Sequence, residues 1–348
     1  MRTRRWLIVL LGALSLVAIA PGCGGNDDEA AAPETATAPG ETEPEAFEIA
    51  YLSASSANTW LLSSKGAMDE VAAERGATIT EFDAEFNPEL QTRQLQDVIA
   101  SERYDGIVIA VIVGPAIVPD VEAAVAAGLK VSVLNQVLGD QFDTADPQVE
   151  GVSASVLAPP RRSGERLGEV TLQACEGKDP CRVVYFFGIR GIPLDVAIRE
   201  GFDSVVAENP AIEVVAEGEG QYLGPDVGLA QMQDILQTTR DFDVVIGADQ
   251  SMQGVQQALQ EAGILDQVAI IGLGGSEAAI TAIREGNWFG GVFGAPFTEG
   301  QLAMEALLDA LESDREPVGI DPLTHEDIPD DGLITQENVD EFEAQWAG

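Results

Sequence analysis

From Phe47 onward the sequence alternates apolar strand-like runs with amphipathic helical segments almost without a break, and that alternation limits the fold more than any other feature. Strands are expected at 48–53, 78–82, 107–113 and 130–134, with helices at 64–75, 88–102 and 118–127 between them. Gly76 and Gly128 close two of these helices. The run 107–113 is continuously apolar, as a central parallel strand covered on both faces must be. The pattern restarts after Gly151, with strands at 152–155, 182–187, 212–216, 244–247, 268–272 and 289–293. Helices at 161–174, 194–208, 225–239, 252–262 and 277–285 separate them, and a long helix follows from 297 to about 311. Repeated βα units imply parallel sheets with helices on both faces. So many strands imply two sheets, hence an α/β fold of two doubly wound parallel-sheet lobes.

Ligands of doubly wound sheets sit at the carboxyl ends of the strands. Two lobes with facing carboxyl ends make a cleft that a hinge can close on a small molecule. The loops 53–60, 113–115, 135–136, 188–194, 248–251, 272–276 and 294–297 lie at strand ends and are the expected walls.

Ahead of Phe47 the chain reads differently. Arg2, Arg4 and Arg5 precede an apolar run, 7–20, too short to span a bilayer comfortably, and small residues then lead to a cysteine. This is the layout of a secretory signal. Ala20-Pro21-Gly22-Cys23 resembles a bacterial lipobox, although Ala20 stands where Leu is usual and Pro21 is rare. That resemblance implies a signal peptide over 1–23, with lipidated Cys23 as the first mature residue. Residues 24–46 carry acids, Gly, Pro, Ala and Thr, with no basic residue and no aromatic, and read as a disordered acidic tether. The expected location is the cell envelope: exported, and held by lipid at the outer face of the membrane or periplasmic.

Eighteen Lys and Arg stand against 59 Asp and Glu, a formal net charge of −41. A nucleic-acid partner needs a basic footprint and is excluded on that ground; the balance instead describes a solvated acidic surface. Cys175 and Cys181 enclose a turn-rich Glu-Gly-Lys-Asp-Pro segment and are expected to form a local disulfide in an oxidising compartment. No metal site is expected there, because no His or third Cys is near. His325, the one histidine, lies in a polar segment and is read as solvated.

Several stretches together resemble the type I periplasmic binding proteins, in particular the ribose-binding-protein-like sugar group. They are 49–67, Asn87-Pro88 with 94–99, 104–107, Arg199-Glu200-Gly201-Phe202, 244–249, 269–275 and 333–339. The resemblance covers essentially everything from Phe47 on. It implies a three-segment hinge near Glu150, Ala295 and Pro322, lobe 1 over 47–150 plus 295–322, and lobe 2 over 151–294 plus 323–348. It further implies a monomeric substrate-binding protein that captures a small sugar-like ligand and docks on an ABC permease. A sensory role, presenting the ligand state to a membrane receptor, remains the alternative, as does import of a non-sugar ligand.

The candidate pocket departs from that group. Asn135-Gln136 stands where an Asp-Arg pair is usual, Ile198 where an arginine is, Gly274 where an Asp is, Gly294 where a Gln is, and Asp249 where an Asn is. Fewer charged groups imply a roomier, less charged pocket. The candidate ligand-binding residues are Asn58, Trp60, Asn135, Gln136, Tyr222 and Asp249. Trp60 and Tyr222 offer ring faces for stacking; Asn135 and Gln136 each donate and accept. Each has a plainer reading: Trp60 and Tyr222 as packing, the amides as loop residues, Asp249 as a helix N-cap. Arg190, at a strand end, is a weaker substitute for a lost arginine. Gly272-Leu273-Gly274-Gly275-Ser276 lacks the spacing and the Lys of a phosphate loop, and reads as a tight turn with Ser276 capping the next helix. No nucleophile elbow, Cys-His pair or histidine cluster is present in the sequence, so neither an enzyme, a cofactor nor a metal is expected.

Overall fold

The computed structural model describes residues 46–324 and 328–348. The signal peptide, Cys23, the tether up to residue 45 and His325 lie outside them. The described chain carries twelve strands in two six-stranded sheets.

The first sheet has the order β11-β5-β4-β3-β1-β2. It contains β1 (Phe47–Ser53), β2 (Ala77–Asp83), β3 (Gly106–Ile109), β4 (Lys130–Leu134), β5 (Ala154–Val156) and β11 (Val318–Ile320), all paired in parallel. The second has the order β12-β10-β9-β8-β6-β7. It contains β6 (Cys181–Phe187), β7 (Ile212–Glu219), β8 (Val244–Ala248), β9 (Ala269–Gly274), β10 (Gly290–Phe293) and β12 (Leu333–Thr335), the last antiparallel to β10.

Among the described residues nine helices cover these sheets: α1 (Thr59–Arg75), α2 (Pro88–Ser101), α3 (Gly114–Ala126), α4 (Pro160–Ala174), α5 (Pro193–Val206), α6 (Pro225–Thr238), α7 (Asp249–Ala262), α8 (Glu277–Arg284) and α9 (Pro296–Glu312). Six of them carry Pro in the first turn, where a missing N–H costs nothing. Asn58, Asn87 and Ser276 cap α1, α2 and α8 by accepting from Leu61 N, Leu90 N and Ala279 N. The central strands β3, β5, β8 and β10 are buried throughout, which requires helices on both faces.

Three expectations need correction. The chain does not leave the first lobe near Glu150: β5 still pairs with β4 and β11, and the crossing follows Val156. The reason is that β5 is only three residues long, and β11 is a short edge strand in a polar segment. Such strands leave little period to read. The apolar run 107–113 is half strand and half loop, since β3 ends at Ile109 and α3 already begins at Gly114. Helix α1 starts at Thr59, five residues earlier than its apolar face suggests, because the Asn58 side chain caps it there. The other two crossings run from β10 into α9, around Gly294 and Ala295, and from β11 toward β12.

Cys175 and Cys181 are joined in a disulfide at the end of α4 and the start of β6, with Cα atoms 5.6 Å apart. The loop they close is short, so reduction should lower the unfolding free energy by only about 2 kcal/mol. Urea melts with and without reductant check this.

Candidate functional site

The carboxyl ends of the two sheets face a common cavity lined by residues of both lobes, the place where doubly wound sheets bind their ligands. The first lobe lines it with residues following β1 (Ala54, Asn58, Trp60, Leu61), β2 (Phe86) and β4 (Asn135, Gln136). The second contributes Leu194 and Ile198 of α5, Tyr222 after β7, Gln250 at the start of α7, and Phe293. Glu299, in the first turn of α9, lies on the lining beside the crossing segments. Five of the six residues singled out from the sequence therefore meet in one cavity.

Their polar groups are committed in different ways. The Asn58 Oδ1 caps α1, and its Nδ2 donates across the cleft to the Tyr222 carbonyl at 2.9 Å. The Tyr222 hydroxyl donates to Asp195 Oδ1 at 2.9 Å, and its ring lies close against the Gly188 backbone. Both residues thus hold the cleft together as well as line it. Gln221 and Tyr222 sit at φ 62° and 58°, and Glu85 and Phe86 at φ 51° and 55° on the facing loop. Non-glycine residues in this region store backbone strain, which concentrates at ligand-binding sites.

Asp249 departs from expectation. It is the first residue of α7, not its N-cap, and Ala248 occupies the cap position. It does not line the cavity: the carboxyl is fully buried and its Oδ2 accepts from Ser276 N at 2.7 Å. It anchors the turn after β9 instead. Its neighbour Gln250 takes the place on the wall. Arg190 also stays off the lining, stacked 4.3 Å over Phe187 and paired with Glu217 at 2.8 Å.

At Gly294 and Gly274 there is no room for a side chain. A Cβ on Gly294 would lie 2.3 Å from Trp60 Cη2, and one on Gly274 would lie 2.5 Å from Trp346 Cζ2. Indole rings therefore occupy the space beside both glycines. The two indoles meet edge to face at 5.4 Å.

Sequence reasoning missed Glu299. Its Oε2 accepts from Trp60 Nε1 at 2.9 Å and from Asn135 Nδ2 at 3.3 Å. Burial pushes its carboxyl up to about 8, against the pull of the Trp60 and Asn135 hydrogen bonds, and the nearby Asp321 carboxylate pushes it further. An acid in the first turn of a helix is ordinarily a favourable partner of the helix dipole, so nothing in the sequence marked it. Burial likewise raises Asp249 and Asp195 to about 6 each, partly offset by backbone N–H donors. Among the described residues no cluster of His, Cys, Asp and Glu is arranged to hold a metal ion, and no described helix is long and apolar enough to cross a membrane.

Two α/β lobes whose strand ends face one shared cavity have the architecture of a solute-binding protein. The family described as "Periplasmic binding protein domain" matches residues 49–315, and the chain belongs to it. The ribose import binding protein RbsB of Bacillus subtilis (strain 168) is 24% identical over 263 residues, 73% of this chain and 78% of that protein. An ABC transporter solute-binding protein from Bacillus halodurans C-125 with bound myo-inositol superposes with a TM-score of 0.74 at 23% identity. It covers 87% of this chain and 100% of that one. A galactofuranose-binding protein superposes at 0.73 with 20% identity, over 85% of this chain and 96% of that one. These likenesses establish the two-lobed fold.

Proposed function

We propose that the protein is the extracytoplasmic solute-binding component of an ABC importer, and that the cavity captures a monosaccharide or cyclic polyol. The observation that carries this reading is the make-up of the walls: Trp60 and Phe293 present aromatic surface, while Asn135, Gln136 and Gln250 present neutral amides from both lobes. A sugar ring has an apolar face that stacks on an aromatic side chain and a rim of hydroxyls that amides can bond. The similar proteins bind ribose, myo-inositol and galactofuranose by their names, which favours the same ligand class. On this reading the binding residues are Asn58, Trp60, Asn135, Gln136 and Tyr222, with Gln250 and Glu299 added and Asp249 in a supporting place.

The three crossings act as the hinge, and the closed monomer presents both lobes to a permease. The segment ahead of Phe47 exports and tethers them, with Cys23 as the acylated residue.

The test is a thermal-shift panel of aldopentoses, aldohexoses, galactofuranosides, cyclitols, nucleosides and amino acids on the purified protein. At a ligand concentration of about 100 Kd, a true ligand adds about 2.7 kcal/mol. At least one sugar or cyclitol is expected to raise the melting temperature. A shift by nucleosides or amino acids alone would remove the sugar assignment.

A further inference from the structure

The cavity lining has an uneven chemistry. Among the described residues it holds no Lys, Arg or Asp, and its single ionisable carboxyl is Glu299. Glu299 is 1% exposed and forms no ion pair among the described residues. Its Oε2 is occupied by two N–H donors, one from α1 and one from the end of β4, and the Ala158 backbone N–H also pulls on the carboxyl, a stabilisation that burial outweighs. The titratable groups around it bring no positive charge: Asp321, in the segment after β11, and Tyr51, on β1, are those that interact with it. The buried Arg166 faces Asp321 and pairs with Asp331 at 2.7 Å, not with Glu299. An ionised carboxylate in such a place is costly without a cation.

We infer that Glu299 is a specificity residue of the cleft: it meets the ligand as a neutral carboxyl, donating a hydrogen bond through Oε1, and confines the cleft to uncharged solutes. This rests on the solute-binding reading above. With Oε2 accepting from Trp60 and Asn135, the proton belongs on Oε1, which has no side-chain donor among the described residues, and a ligand oxygen in the cavity would accept from it. An anionic ligand would bring a second negative charge beside Asp321 and find no Arg or Lys on the lining. A cationic one would be desolvated against Leu61, Leu194, Ile198 and Phe293, with only a protonated acid to meet it. The raised pKa of Glu299, about 8, keeps the carboxyl neutral at ordinary pH.

The sign of the pH effect follows. Below about 8 the carboxyl holds its proton and binding is at full strength; above it the proton is lost and affinity falls. If only the protonated form binds, affinity drops about 30-fold between about pH 7 and about pH 9.5. Glu299→Gln keeps a donor and stays neutral at every pH, so whatever its affinity at neutral pH, that affinity should not decline as the pH rises.

The experiment has two arms. In the first, calorimetry compares D-ribose, D-glucose, D-galactose and myo-inositol with D-glucuronate, D-glucosamine and myo-inositol 1-phosphate, on the parent protein and Glu299→Gln, at neutral and alkaline pH. Neutral members binding at least about 30-fold tighter than charged ones (about 2 kcal/mol), with the alkaline decline confined to the parent, is the expected result. An amino sugar or sugar acid binding as tightly as its neutral counterpart overturns the inference and leaves the sugar assignment standing. The same holds for an alkaline decline that persists in Glu299→Gln. The second arm needs no ligand. Trp60 donates directly to Glu299, so its fluorescence should titrate with a midpoint near 8 in the parent. It should not titrate there in Glu299→Gln, and Trp60→Phe identifies the signal as that of Trp60. Absence of that midpoint overturns the inference even if no panel member binds, an outcome that counts separately against the sugar assignment.

Discussion

Gly201→Val is expected to lower the unfolding free energy by about 3 kcal/mol or more, the upper end of what overpacking costs. Helices α4 and α5 approach with their backbones nearly touching. A Cβ on Gly201 would lie 2.1 Å from the Arg161 carbonyl oxygen, and one on Gly164 would lie 1.9 Å from the Ile198 carbonyl oxygen. These are backbone atoms on both sides, so no rotamer change relieves the clash and the helices must separate. The same contact positions ligand-facing groups, since α4 carries Ser163 and α5 carries Leu194 and Ile198 on the cavity wall. Alanine at Gly201 recovers about 1 kcal/mol of helix propensity, so its net cost should be smaller but of the same sign. Gly66 provides the opposite case. It lies mid-helix in α1, exposed, with nothing within 4 Å of an added Cβ. Gly66→Ala should therefore stabilise by about 1 kcal/mol. Denaturant melts of the variants give both signs in one series. A Gly201→Val protein within about 0.5 kcal/mol of the parent would show that the helices do not pack this closely.

The α4–α5 contact illustrates how much of this fold was legible. Helix α5 could be read from the Pro193 start and from the apolar face that buries Ala197, Ile198 and Phe202. Its pairing with α4 could not, because a glycine in a helix reads first as a weakness and only in three dimensions as a place for a neighbour's backbone. The parallel strands β4, β6 and β8 were legible because burial on both faces demands continuous apolar runs. The edge strands β11 and β12 were not, being three residues each, and the lobe boundary moved with the equally short β5.

The site divides the same way. Trp60, Asn135 and Gln136 were legible because they follow strand ends, where topology places ligands. Asp249 and Gln250 are adjacent, and the sequence favoured the charged one. The local geometry turns Asp249 back onto Ser276 N and gives the wall to Gln250. Glu299 and Trp346 were invisible for a different reason: each meets Trp60 from a distant part of the chain, and no local pattern encodes that.

Trp346→Ala is expected to have the larger functional consequence, although Trp346 does not itself line the cavity. Its indole is 6% exposed, donates from Nε1 to the Gly274 carbonyl at 2.8 Å, and packs edge-on to Trp60. The segment around it ties the lobes together. The Gln345 carbonyl accepts from Ser63 Oγ of α1 at 2.6 Å, and its side chain bonds the Thr298 backbone N–H and hydroxyl on α9. One residue later, the Trp346 carbonyl accepts from Glu277 N at the start of α8 in the second lobe. Truncating a buried tryptophan costs about 3–5 kcal/mol through lost burial and the cavity left behind. The loss should also reach the ligand, because Trp346 is the surface against which the Trp60 ring is held and the anchor of the turn at Gly274. Affinity for the sugar or cyclitol identified by thermal shift should fall at least about tenfold, about 1.4 kcal/mol. Trp346→Phe separates the two contributions: it keeps most of the packing but leaves the Gly274 carbonyl without its donor, costing about 1–3 kcal/mol. Paired melts and calorimetric titrations of the two variants distinguish a strap that orders the cleft from a segment that merely covers the second lobe. In the latter case stability falls while affinity stays within about twofold of the parent, less than about 0.5 kcal/mol, and Trp60 is then held by the first lobe alone.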